Sequence, residues 1–119
     1  MYKFYNRNPN KEKLPDCVCR AVSIATESPY YMIWDLLRQN GLDRECDDIN
    51  LECYAELLRD IGYTWHDACG KTVAEVARQY PYSRLIIRIE GHLTCSLYGV
   101  CHDIWDCTKE IADCYWIIE

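Results

Sequence analysis

The chain has 119 residues, half of them hydrophobic and 27% charged, which is enough apolar material for one core and excludes a disordered chain. Thirteen Lys and Arg stand against 19 Asp and Glu, a formal charge of -6 that repels phosphate backbones, so nucleic acid is not an expected partner. No apolar run approaches the roughly 20 residues that cross a bilayer, and residues 1–10 lack the apolar stretch of a secretory signal, so the expectation is a cytoplasmic protein with no membrane partner.

The chain opens with an arm, residues 1–15, whose prolines, asparagines and alternating charges predict no regular structure. Asp16 then offers an N-cap, and Cys17, Ala21, Ile24 and Ala25 repeat with the spacing of a buried helix, which puts Cys17 in its first turn. Ser28-Pro29 predicts the start of a second helix with a stripe of Tyr30, Ile33, Trp34 and Leu37, stopping at Asn40-Gly41. Leu51, Tyr54, Ala55, Leu58 and Ile61 predict a third helix ended by Gly62. Thr72 and Glu75 form a capping-box pattern ahead of a short fourth helix that Pro81 terminates.

Beyond Pro81 the period falls to two, and residues 84–90, 92–98, 100–106 and 114–118 read as strands, the middle pair joined by a turn at Tyr98-Gly99. Helices over 16–80 followed by an antiparallel sheet over 84–118 predict a single α+β domain.

Nine cysteines would suit a disulfide scaffold. Their number is odd, however, and most lie in periodic apolar segments, Cys53 in a helical one and Cys95 and Cys114 in strand-like ones, so most are expected to be reduced core residues. Cys17 and Cys19 are too close for a zinc knuckle, and Cys101, His102, Cys107 and Cys114 complete no four-ligand set, so neither a metal nor a cofactor is expected.

Cys17 differs from the other thiols because unsatisfied N–H groups and the helix dipole at a helix start favour thiolate. The adjacent Asp16 carboxylate opposes that, and an imidazolium would have to compensate. His92 follows Gly91 at the start of a strand. If the hairpin turn spans residues 98–100, His92 faces Asp106; a two-residue turn at 98 and 99 instead pairs it with Trp105 and brings Asp103 diagonally onto its face. Either acid would orient the imidazole, completing a nucleophile, base and orienter. His66 and His102 are read as structural.

The order of a helix-borne Cys, a Gly-His opening a strand and an Asp on the next strand resembles the papain-like cysteine peptidase fold. Asp16-Cys17 followed by Ala21, Val22 and Ala25 is similar to the Asp-Cys helix of the bacteriocin-processing peptidases. Asn8-Pro9-Asn10, the run from Asp16 to Thr26, Gly91-His92 and Asp103-Ile104-Trp105-Asp106 resemble small uncharacterised phage and prophage proteins of that type. The resemblance implies helices packed on an antiparallel sheet, a peptide or protein substrate, and a location in a bacterial host's cytoplasm.

It also implies a thiol hydrolase, a peptidase or isopeptidase, with Cys17 as nucleophile, His92 as base and Asp106 as orienting acid, Asp103 being the alternative. The glutamine that papain-like enzymes carry six residues before the cysteine is Lys11 here, so Asn10 or Asn8 is expected to supply the oxyanion donor. The competing expectation is an inactive papain-like accessory or anti-defence protein that binds a host protein.

Overall fold

Leu85, Ile86 and Ile87 are consecutive in one strand and all fully buried, which requires apolar cover on both faces of the sheet to which they belong. The computed structural model, which describes residues 1–11 and 15–118, meets that requirement. Its elements in chain order are β1 (Tyr2–Phe4), α1 (Cys17–Ala25), α2 (Tyr30–Arg44), α3 (Leu51–Ile61), β2 (Thr64–Asp67), α4 (Val73–Gln79), β3 (Arg84–Ile89), β4 (His92–Leu97), β5 (Val100–Asp103) and β6 (Ala112–Ile117). The strands form one sheet in the order β1-β5-β4-β3-β6-β2.

Helices α1, α2 and α3 cover one face. Val18, Val22, Ala25, Ile33 and Leu58 pack there with Ile86, Leu93, Cys95 and Trp116. On the other face Val73 and Val76 of α4 pack with Leu85, Ile87, Ile89 and Tyr115. Each large aliphatic side chain so buried contributes about 1.5–3 kcal/mol relative to exposure.

The α+β class is as expected, but the sheet is mixed and reaches beyond the C-terminal part. Within the expected arm, Tyr2–Phe4 adds a strand parallel to β5, and within the expected helical part Thr64–Asp67 adds one antiparallel to β6. Both are short edge strands whose alternation is too brief to register as a period. Residues 12–14 of the arm lie outside the described residues.

Helix α2 runs past Asn40-Gly41 to Arg44 and ends at Glu45, in the left-handed region at φ 55°. The Asn-Gly pair serves packing instead of termination. Asn40 Nδ2 donates to the Cys53 carbonyl at 3.0 Å, and Gly41 admits the Cys46 carbonyl, which a Cβ would meet at 2.9 Å. Gly41→Ala gains helix propensity of about 1 kcal/mol but forces that backbone apart at a cost of about 1–3 kcal/mol. A net loss of stability is expected in a urea titration, and a rise would show that the contact relaxes freely.

Cys46 and Cys53 form a disulfide that ties the end of α2 to the start of α3, correcting the expectation of a free Cys53; the other seven cysteines are free. Helix α4 carries the expected capping box: Thr72 Oγ1 accepts from the Glu75 N–H and Glu75 Oε1 from the Thr72 N–H. No helix among the described residues is long and apolar enough to cross a membrane.

Candidate active site

Cys17 is the first residue of α1, and the Asp16 carbonyl accepts the first helical hydrogen bond, from the Arg20 N–H at 2.9 Å. The Asp16 carboxylate caps nothing. It is buried and accepts from the Arg20 guanidinium, from the Tyr30 hydroxyl at 2.7 Å and from Asn8 Nδ2 at 3.2 Å. The carboxylate next to Cys17 is thus paired with a cation one helical turn on, which offsets its opposition to a thiolate there.

His92 reaches Cys17 because of two tight hairpins. Ile89 pairs with His92 across a two-residue turn in which Gly91 adopts φ 72°, so His92 is the first residue of β4, beside the start of α1. At the far end Leu97 pairs with Val100, and Tyr98 and Gly99 both have positive φ, the backbone of a type I′ turn. This is the two-residue alternative, and it selects the acid. His92 Nε2 lies 2.6 Å from Asp103 Oδ2, and Asp103 is only 4% exposed.

Asp106 is therefore not on His92, a correction to the expected triad. Strand β5 stops at Asp103, the chain bends through Ile104 and Trp105, and the Asp106 carboxylate turns back to accept from the Thr108 N–H at 3.0 Å and the Thr108 hydroxyl at 2.6 Å. A residue committed to that local turn cannot continue the ladder.

The oxyanion assignments also change. Asn8 is buried, with its amide on Asp16 and, at 3.4 Å, on the Tyr30 hydroxyl, while Asn10 Nδ2 donates to the Tyr31 hydroxyl at 3.1 Å. Neither lines the cleft that holds Cys17 and His92. Asn50, just before α3, does line it and is exposed. Lys11 Nζ is held by the Asn6 carbonyl at 2.7 Å.

That cleft has a volume of about 480 Å³, with Tyr54, Arg88, Ile49 and Trp105 among its walls. Trp105 packs against the His92 ring at a centroid distance of 5.2 Å. Trp116, Tyr115 and Tyr30 are buried in the core.

With Nε2 taken by Asp103, the His92 ring has Nδ1 left, and Cys17 lines the same cleft close enough for the imidazole to favour its thiolate. Burial works against the imidazolium, yet the hydrogen bonds to Asp103, Cys107 and Cys17 more than offset it and raise the His92 pKa to about 11. Burial likewise opposes the Cys17 thiolate, but the bond to His92, the Leu93 N–H and the charges of His92 and Arg20 hold its pKa below that of an ordinary thiol. The Asp103 carboxyl, despite burial, is also held low by His92, Thr94 and the Ile104 N–H.

Cys19, two residues on, shows the contrast. Burial and the charge of Asp16 push its thiol up to about 12, and its Sγ donates to the Tyr30 carbonyl. Of the cysteines whose pKa is shifted, Cys17 is the one held low.

Arg20 is the functional residue missed in the sequence. Besides Asp16 it faces Asp103 Oδ1, with NH2 at 3.8 Å, and so ties the start of α1 to the acid behind His92. The signal was the Asp16-x-x-x-Arg20 spacing, which places both on one helix face. The arm contributes as well: the Asp103 carbonyl accepts from the Tyr5 N–H at 2.9 Å and the Tyr2 hydroxyl at 3.1 Å. Arg20→Met leaves two buried carboxylates without their cation and is expected to cost about 3–5 kcal/mol. Chemical denaturation checks this, and a loss under 1 kcal/mol would show the network to be incidental.

Among the described residues, His92, Asp103 and Cys107 also have the donor types and mutual distances of a metal-binding group. No protein-family model, curated protein or solved structure matches the chain.

Proposed function

We propose that the protein is a thiol hydrolase of papain-like type, a cysteine peptidase or isopeptidase that acts through Cys17, His92 and Asp103. One observation carries the reading: a helix-start thiol with a depressed pKa and an imidazole backed by a buried carboxylate meet on the wall of an open cleft.

In this mechanism the Cys17 thiolate attacks the carbonyl carbon of the scissile amide and a C–S bond forms as the C=O π pair moves onto oxygen. The N–H groups at the start of α1, that of Cys17 first, stabilise the oxyanion. His92 gives its Nδ1 proton to the leaving amine as the C–N bond breaks, leaving a thioester. Neutral His92 then takes a proton from water, whose oxygen attacks the thioester and releases the acid and the thiolate. Asp103 holds the ring in one orientation throughout and stabilises its charged form.

The test is cleavage of a denatured protein library by the wild type and by Cys17→Ala, read as new amino termini by mass spectrometry. Termini that depend on Cys17 are expected, and their absence together with the absence of any thioester adduct would sink the reading.

The engagement of Asn8 and Asn10 away from the cleft favours a second reading, a non-catalytic accessory or anti-defence protein that binds a host protein with the same surface. Under it, Cys17→Ala keeps full binding and the wild type cleaves nothing.

A further inference from the structure

Around His92 three potential metal ligands converge, with a further thiol beside one of them. Asp103 Oδ2 is 2.6 Å from His92 Nε2 and 3.8 Å from Cys107 Sγ, and the three donor atoms lie within 4.8 Å of one another. Cys101 Sγ is 3.9 Å from Cys107 Sγ, and both thiols are fully buried. In a tetrahedral zinc site, metal–ligand bonds of about 2.0–2.3 Å set neighbouring ligands roughly 3.3–3.8 Å apart. The Asp103–Cys107 separation already matches, the Cys107–Cys101 separation exceeds that span by about 0.1 Å, and the His92–Asp103 pair needs to part by less than about 1 Å.

We propose that His92 Nε2, Asp103 Oδ2 and Cys107 Sγ bind a zinc-like divalent ion, with Cys101 Sγ as the nearest fourth ligand. The donor set of imidazole, carboxylate and thiolate suits a tetrahedral d10 ion and does not suit magnesium or calcium, which take oxygen ligands. Arg20 faces Asp103 through Oδ1, so Oδ2 can serve the ion while that contact persists. Binding displaces the proton of each coordinating thiol and the proton on His92 Nε2. The neutral ring then carries its remaining proton on Nδ1, toward Cys17, and cannot accept one there. Under the hydrolase reading, metal binding is inhibitory; the binding itself does not depend on that reading.

Reduced, chelator-treated protein titrated with Co2+ and then with Zn2+ provides the test. One equivalent of Co2+ is expected to give the absorption of a tetrahedral cobalt–thiolate centre, which Zn2+ abolishes. Cys17→Ser and Cys69→Ser are expected to bind as the wild type does. Cys107→Ser and His92→Ala are each expected to bind at least 100-fold more weakly; the second trims a half-buried ring without touching the core thiols, and circular dichroism verifies the fold of both.

No thiolate band in the wild type would overturn the proposal. So would loss of binding in Cys17→Ser or Cys69→Ser, which would place the ion on the catalytic pair or on an exposed thiol. Metal binding without Cys17 reactivity sinks the hydrolase and leaves the site standing, whereas Cys17 reactivity without metal binding does the reverse.

Discussion

Iodoacetamide at pH 6 is expected to alkylate Cys17 at least 100-fold faster than any other free cysteine. At that pH an ordinary thiol, with a pKa near 8.5, is under about 1% thiolate. Cys17 is held lower by His92, the Leu93 N–H and Arg20, whereas Cys19, Cys95, Cys107 and Cys114 are raised, burial being the main cause for all but Cys107, where the bond to Cys101 leads. Exposed Cys69 supplies an accessible thiol for comparison within the same molecule.

A lowered pKa means that the reactive form persists on the acid side, so the midpoint of the Cys17 labelling curve should lie below that of an ordinary thiol. In His92→Ala the burial penalty is left without its main compensation, and the midpoint should move to the alkaline side. Peptide mapping at graded pH reads both effects. Equal labelling of Cys17 and Cys69 at pH 6 would remove the nucleophile from the proposal.

The second large effect separates two acids only three positions apart. Asp103→Asn is expected to reduce Cys17 labelling at pH 6 by 10-fold or more and to destabilise the fold by about 3 kcal/mol, because it takes the buried carboxylate from His92 and leaves Arg20 with Asp16 alone. Asp106→Asn is expected to keep the labelling rate within twofold, since Asp106 is exposed and contacts Thr108.

The stability difference should depend on pH with a definite sign. His92 is raised to about 11, so its contribution is complete below the ordinary histidine pKa of about 6.5 and is lost as pH rises toward 11. Asp103 is lowered, so its contribution is complete above the ordinary carboxyl value of about 3.9 and is lost as pH falls through its depressed pKa. Wild type and Asp103→Asn should therefore differ most between about pH 4 and 6.5. Denaturation midpoints that differ equally at pH 5 and pH 10.5 would contradict the pairing.

Helices α1, α3 and α4 could be read from the residue order because each signal is local: apolar spacing, a capping box at Thr72 and Glu75, and a left-handed glycine at 62. Helix α2 was read short because Asn40-Gly41 looks like a stop, and its actual use is a close approach to Cys46, a contact between backbones that no local pattern records. Cys17 and His92 stood out for the same local reasons, one at a helix start and one after a glycine turn. Asn8 and Asn10 were misplaced because their amide groups are claimed by Asp16, Tyr30 and Tyr31, partners as many as 22 positions away.

The order of residues was sufficient for the α+β class, for the reactive placement of Cys17 and for a pair of acids, Asp103 and Asp106, that hairpin geometry allows behind His92. Only the folded chain settled between them, because a register is a relation between two strands: the Tyr98-Gly99 turn brings Asp103 onto His92, and the Thr108 turn takes Asp106 away. The role of Arg20 is likewise a tertiary fact. Its two carboxylates are 87 positions apart in the chain, and they share one guanidinium because α1 packs against the sheet, as burial of its apolar face requires.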